Sequence, residues 1–322
     1  MTTPELVITH PGKVLFPHDG ITKGDVASYY ASIAPLMLVH IAGRPVTMER
    51  YPAGIEEPGF IQKNVSKGFP AWLERVETPK KDGFVHYPIV RDVRSLLWLA
   101  NQNCITPHVW PSRLPDLDRP DLCVVDLDPP GDDAAGVHAA TLAVRDLLDE
   151  LGLSSYVKTS GSKGFHVLVP LDATQRFESV WRFAHGLGAV LVQRHPDTLT
   201  QEFNKSDRAG RILVDTGRNG YGATFAAAYA IRPKPGAPVS APCTWDELER
   251  RSVSPRSFTL RNIAARVGEI GDPWAQMARH GQNLDRAMER LSSLLTEEDW
   301  NEALAARTRR PGSRKGASRR RR

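Results

Sequence analysis

Cysteine is nearly absent: Cys104, Cys123 and Cys243 are the only three in 322 residues. They are far apart and form no CxxC pair, which excludes a disulfide framework and a thiolate zinc site. A reducing, cytoplasmic setting fits that usage. Long hydrophobic runs are missing as well. No window approaches the roughly 18 consecutive apolar residues of a transmembrane helix. The opening MTTPELVITHPGKVLF lacks the basic start and apolar stretch of a secretory leader, so no membrane association is expected. No internal repeat is present. Acidic residues vanish from the last stretch: 307–322 holds nine Lys or Arg and no Asp or Glu. The whole chain carries +5, so the preceding 306 residues carry −4. A tail of that composition cannot bury a core and is expected to be disordered. It reads either as a solubilising end or as an arm that releases counterions from a polyanion such as DNA or RNA.

What remains is ordinary for a globular protein, at 41% apolar and 25% charged. Residues 1–118 mix short apolar runs with Pro/Gly turns, and SRLPDLDRPD at 112–121 looks like a connector. From about 120 to 235 strands and helices alternate. LCVVDLD (122–128) predicts a strand stopped by Pro129 and Pro130. Asp132 or Asp133 can cap a following helix whose apolar stripe runs through Ala140, Val144, Leu147, Leu148 and Leu151 before Gly152. SYVKTS (155–160) and FHVLVP (165–170) predict a hairpin around Gly161-Ser162-Lys163-Gly164. A helix follows at about 177–194, then the strand RILVD (211–215). Helices are expected through 236–306.

The chemistry concentrates at strand ends. Residues two apart in a strand share a face, so Asp126 and Asp128 project together, about 6.6 Å apart at Cα, while Val125 and Leu127 face a core. Adjacent carboxylates repel, and a divalent cation relieves the repulsion. Asp215 ends a second apolar strand in the same way. Three carboxylates from two strands can hold two hard cations about 4 Å apart, an arrangement suited to phosphoryl transfer. The Ser160–His166 turn offers phosphate contacts through Ser160, Lys163 and glycine-freed backbone N–H groups, although it lacks Walker A spacing. Arg232 is a candidate for a bidentate phosphate contact, and His166 can reach the same cleft, while His108 reads equally as a satisfied, half-buried histidine. Lys80-Lys81-Asp82-Gly83 matches an adenylation pattern but reads as a polar β-turn.

In this order, several segments resemble the polymerase domain of bacterial DNA ligase D, a member of the archaeo-eukaryotic primase superfamily that serves nonhomologous end joining. They are KVLFP (13–17), GITKGD (20–25), DLDPP (126–130), SGSKGFH (160–166), RILVD (211–215), RNGYGAT (218–224), APVSAP (237–242) and WDEL (245–248). The resemblance covers about residues 6–275. It implies an α+β, primase-like fold: an RRM-like catalytic sheet (about 119–235), an N-terminal α/β module (about 1–118) and C-terminal helices (about 236–306). It implies that Asp126, Asp128 and Asp215 are metal ligands, with manganese (Mn2+) preferred and magnesium (Mg2+) possible. Ser160, Lys163, His166 and Arg232 would bind the triphosphate of an NTP or dNTP, and His108 would lie near its sugar. Phe60 would stack on a base. Lys13 and Lys23, with His10 where the family has asparagine, would hold the 5′-phosphate of gapped or broken DNA. The implied partners are Ku and a separate ATP-dependent DNA ligase, for a stand-alone form without fused ligase. Two other classes stay open: a non-catalytic scaffold that binds DNA ends or gaps, and a metal-dependent phosphoesterase.

Overall fold

The computed structural model describes residues 6–66 and 68–305. The basic tail at 307–322 lies outside them.

A four-stranded antiparallel sheet, a six-stranded sheet with one parallel pair at its Leu199–Thr200 edge, and their helices form most of the described molecule. The first sheet has four strands in the order Phe225–Ala226, Cys104–Val109, Val46–Arg50, Phe60–Gln62. Helices Lys23–Ile41 and Val93–Asn101 pack against each other beside it. The GITKGD segment is a helix start. Thr22 Oγ1 accepts from the Asp25 N–H at 3.2 Å, and Asp25 Oδ2 accepts from the Thr22 N–H at 2.8 Å. This reciprocal cap satisfies two otherwise orphaned donors and makes Lys23 the first helical residue.

The second sheet has six strands, ordered Leu199–Thr200, Ile212–Asp215, Leu122–Asp128, Phe165–Pro170, Tyr156–Thr159, Pro242–Cys243. Within it the chain runs strand–helix–strand–strand–helix–strand. The four main strands stand in spatial order fourth, first, third, second, as the RRM-like expectation requires. The helices are Ala134–Glu150, capped where Asp133 Oδ1 accepts from Gly136 N at 2.9 Å, and Phe177–Arg194. Both helices contact the Leu122–Asp128 strand. Val125, Leu127, Phe165, Val167 and Val214 are buried, and His138 of the first helix meets the Phe165 ring edge-on at 5.0 Å. The opposite face of the same strands turns toward the first sheet, where His166 and Phe225 pack at 6.3 Å.

The C-terminal segment adds the helices Asp285–Ser293 and Glu297–Ala305 against Phe177–Arg194. It is tied to the first module by Asp272, which takes His40 Nε2 at 2.7 Å and the Tyr229 hydroxyl at 2.8 Å. The Lys80–Gly83 match is a two-residue turn joining strands Arg75–Lys80 and Gly83–Pro88, with Gly83 at φ +108°. No described helix is long and apolar enough to cross a membrane.

Candidate active site

Strand register builds the site. Asp215 stands directly opposite Asp126, Asp126 opposite His166, and His166 opposite Lys158. Directly opposed side chains are neighbours, with Cβ atoms about 5 Å apart. Four strands therefore lay Asp215, Asp126, His166 and Lys158 in one row, with Asp128 two residues along. The expectation that the three aspartates share a cleft holds, since all three line one of about 540 Å³ between the sheets. Among the described residues no three His, Cys, Asp or Glu side chains form a ready metal cluster.

Two arginines pair with the three carboxylates. Arg218 Nε lies 3.2 Å from Asp126 Oδ2 and its Nη2 lies 3.0 Å from Asp215 Oδ2. Arg208 Nη1 lies 3.0 Å from Asp128 Oδ2, and its other nitrogens donate to the Glu202 and Phe203 carbonyls. Three carboxylates forced together by register need positive charge, and here guanidinium groups supply it. The donor set is all hard oxygen, which suits Mn2+ or Mg2+. The guanidinium of Arg218 bridges Asp126 and Asp215.

Cationic side chains share the cleft with the aspartates. Lys163, Arg232 and Ser160 line the same cleft. Arg232 Nε and His166 Nδ1 are buried without hydrogen-bond partners, and such groups are rare unless a ligand completes them. Burial pushes His166 far below its usual pKa, and nearby Lys158 and Arg218 push it further. Its Nε2 lies 3.3 Å from Asp126 Oδ1.

The glycine turn differs from expectation. The Ser162 and Gly164 N–H groups both donate to Ser160 Oγ at 3.1 Å, so these two backbone donors are already engaged. The glycines are there for close approach. A Cβ on Gly164 would lie 1.7 Å from the Leu127 carbonyl oxygen, and one on Gly161 (φ +64°) would lie 2.5 Å from Arg232 Cγ. The turn is clamped between the aspartate strand and Arg232, which fixes where Lys163 starts.

Sequence reasoning missed four charged residues here: Arg208, Arg218, Lys158 and Glu49. Lys158 is fully buried, donates to Ser240 Oγ, and is pushed well below its usual pKa, by burial first and by Arg232 second. Glu49 accepts from the Tyr51 hydroxyl at 3.1 Å and lies 2.9 Å from His108 Nε2. Burial alone would raise the Glu49 carboxyl, but His108, Arg232 and Tyr51 together outweigh it and the net shift is downward. The strand hairpin would have revealed Lys158, because pairing Thr159 with Phe165 places Lys158 beside His166.

A second, separate pocket of about 720 Å³ gathers His10, Lys13 and Lys23 with Thr9 and Asn101. Lys23 is only 3% exposed, and burial, then Lys13 and Arg50, lower its pKa. Its ammonium donates to Thr9 Oγ1 at 3.1 Å, and Thr9 in turn donates to Asn101 Oδ1 at 3.0 Å. His10 takes φ +51°, a left-handed conformation that asparagine adopts more readily. Phe60 lies away from both pockets, 46% exposed on the edge of the first sheet with the Arg50 guanidinium 5.2 Å from its ring centre.

The model for the LigD primase-polymerase domain matches residues 22–274. The chain belongs to that family. It is 37% identical over 269 residues to the multifunctional nonhomologous end joining protein LigD of Mycolicibacterium smegmatis, covering 82% of this chain and 35% of that protein. It is 30% identical over 294 residues to the bifunctional LigD of Bacillus subtilis, covering 91% of this chain and 46% of that one. The chain thus spans between a third and a half of these relatives. Among solved structures, the polymerase domain of Mycobacterium tuberculosis ligase D in complex with DNA superimposes with a TM-score of 0.80 at 33% identity, covering 87% of this chain and all of that one. The matched residues take in the aspartate row together with Lys163 and Arg232.

Proposed function

We propose that the chain is a template-dependent nucleotidyltransferase that adds an NTP or dNTP to a primer 3′-OH at gaps or broken DNA ends. One observation carries this reading: the opposed Asp126–Asp215 pair lines a single cleft together with Lys163 and Arg232. Asp126, Asp128 and Asp215 would hold two divalent cations, manganese or magnesium, which supply Lewis acidity at the attacking hydroxyl and at the leaving pyrophosphate. Lys163 and Arg232 bind and neutralise the triphosphate, and the unpartnered Nε of Arg232 gains an acceptor when it arrives. His166 borders Asp126, its Nε2 3.3 Å from Oδ1. His108, held by Glu49, borders the nucleotide on the first-sheet side. The primer oxygen attacks the α-phosphorus, pyrophosphate leaves, and the hydroxyl proton passes to solvent.

His10, Lys13 and Lys23 would take the 5′-phosphate across the gap, and Phe60 would stack on a template base. The solved relative's complex with DNA supports DNA as the substrate surface. Ku and a separate ATP-dependent DNA ligase are the proposed partners at broken ends; short-gap filling in excision repair is a second setting for the same chemistry.

The test is single-nucleotide incorporation with manganese on a gapped, 5′-phosphorylated primer-template, with DNA binding measured in parallel. Extension by wild type and none by Asp126→Ala, at similar DNA affinity, supports the reading. Equal DNA binding by both proteins with no incorporation by either supports a scaffold instead, and strand cleavage or phosphate release without nucleotide supports a phosphoesterase.

A further inference from the structure

We propose that Arg218 is the resident counter-ion of the aspartate row and competes with divalent metal for Asp126 and Asp215. The inference rests on the metal reading above.

Its basis is how Arg218 is mounted. It sits in the short 3-10 turn Gly217–Asn219, immediately after the Asp215 strand. That turn is bolted down at both ends. Asp215 Oδ1 accepts from Gly217 N at 2.8 Å. Fully buried Asn219 accepts from Val124 N at 2.8 Å and donates to the Val124 and Thr216 carbonyls at 2.7 and 2.9 Å. The Arg218 backbone is therefore fixed against the aspartate strand. Its side chain is 40% exposed at the cleft mouth, and its guanidinium spans both opposed carboxylates. A fixed base and a long, half-exposed arm let the group leave without disturbing the sheet.

Two consequences follow. A cation that enters between Asp126 and Asp215 must break both Arg218 ion pairs, so the counter-ion weakens metal binding. Arg218, Lys163 and Arg232 line the same cleft, so a guanidinium freed from the carboxylates adds to their uncompensated positive charge. That crowding of like charge is relieved when a triphosphate arrives, so metal and nucleotide bind with positive coupling that originates in Arg218.

The experiment titrates the full chain with Mn2+ alone, without DNA or nucleotide, and follows free hexaaqua-manganese by electron paramagnetic resonance. Arg218→Met should bind Mn2+ about three- to tenfold more tightly than wild type, the range expected for losing two half-exposed competing ion pairs. Arg218→Lys, which keeps the charge, should restore affinity to within about twofold of wild type. The rise in melting temperature on adding Mn2+ should be larger for Arg218→Met than for wild type, a readout that a purely structural role would not produce. Unchanged or weaker Mn2+ binding by Arg218→Met overturns the inference. Asp126→Asn separates the two failures. If it loses Mn2+ binding while Arg218→Met gains none, only the counter-ion role fails; if Asp126→Asn binds Mn2+ as wild type does, the metal reading fails.

Discussion

One sheet presents two faces of opposite character. Toward the helices, Val125, Leu127, Phe165, Val167 and Val214 are all at least 99% buried and apolar. Toward the cleft, the alternate residues of the same strands are Asp126, Asp128, His166, Lys158 and Asp215. Period-two alternation lets one set of backbone hydrogen bonds serve both. The helix side holds the strands in register, and the register brings three carboxylates together although they repel. The cleft side is thus a stored electrostatic conflict that Arg208 and Arg218 moderate, and that the helix-side packing makes affordable. Substitutions on the two sides should separate: those facing the cleft should remove activity with little loss of fold, and those facing the helices should remove stability.

The largest effect is expected at the cleft. Asp126→Ala or Asp215→Ala should reduce nucleotide incorporation to background while the melting temperature stays within a few degrees of wild type. Extension retained in both would break the comparison. On the other face, Leu127→Ala should destabilise the protein by about 2–5 kcal/mol, the range for deleting a buried leucine side chain, as read from chemical denaturation. Its activity per folded molecule should stay near wild type. A loss of activity greater than the loss of folded protein would mean that the two faces are not separable.

How much of this was legible in the sequence follows from the same alternation. LCVVDLD announces a strand with acidic residues on one side, and the structure gives Leu122–Asp128 with that division. Asp133, Gly152 and the 177–194 helix lie where cap and stripe chemistry put them. The arginine partners were not legible. Arg208 comes from an irregular segment and Arg218 from a turn, and neither has a periodicity that reports which carboxylate it meets. The turn at 160–164 was legible as a turn, but its glycines answer to the Leu127 carbonyl and the Arg232 side chain, contacts that only tertiary structure reveals.

Two smaller effects sharpen the picture. Lys23→Ala should reduce the preference for a 5′-phosphorylated downstream strand by about tenfold or more, as expected for losing a charge-assisted phosphate contact. Equal use of phosphorylated and unphosphorylated gaps by wild type would remove that pocket from the account. Acid should destabilise the fold gently before carboxylates titrate. Burial lowers the pKa of both His108 and His138. Below the unfolded value of about 6.5, the unfolded chain binds protons that the folded chain refuses. Stability therefore falls as pH drops from that value toward the lowered folded ones. The melting temperature should decline between pH 7.5 and 5.5, and a flat profile would show that neither histidine is held neutral by the fold.

The most direct test of the central claim is anomalous diffraction at the manganese edge from crystals soaked in Mn2+ with a non-hydrolysable nucleoside triphosphate. The account predicts a manganese peak shared by the Asp126 and Asp215 carboxylates, with the Arg218 guanidinium withdrawn from both. Nucleotide density beside Lys163 and Arg232, with no manganese between those two aspartates and Arg218 still paired to them, would contradict it.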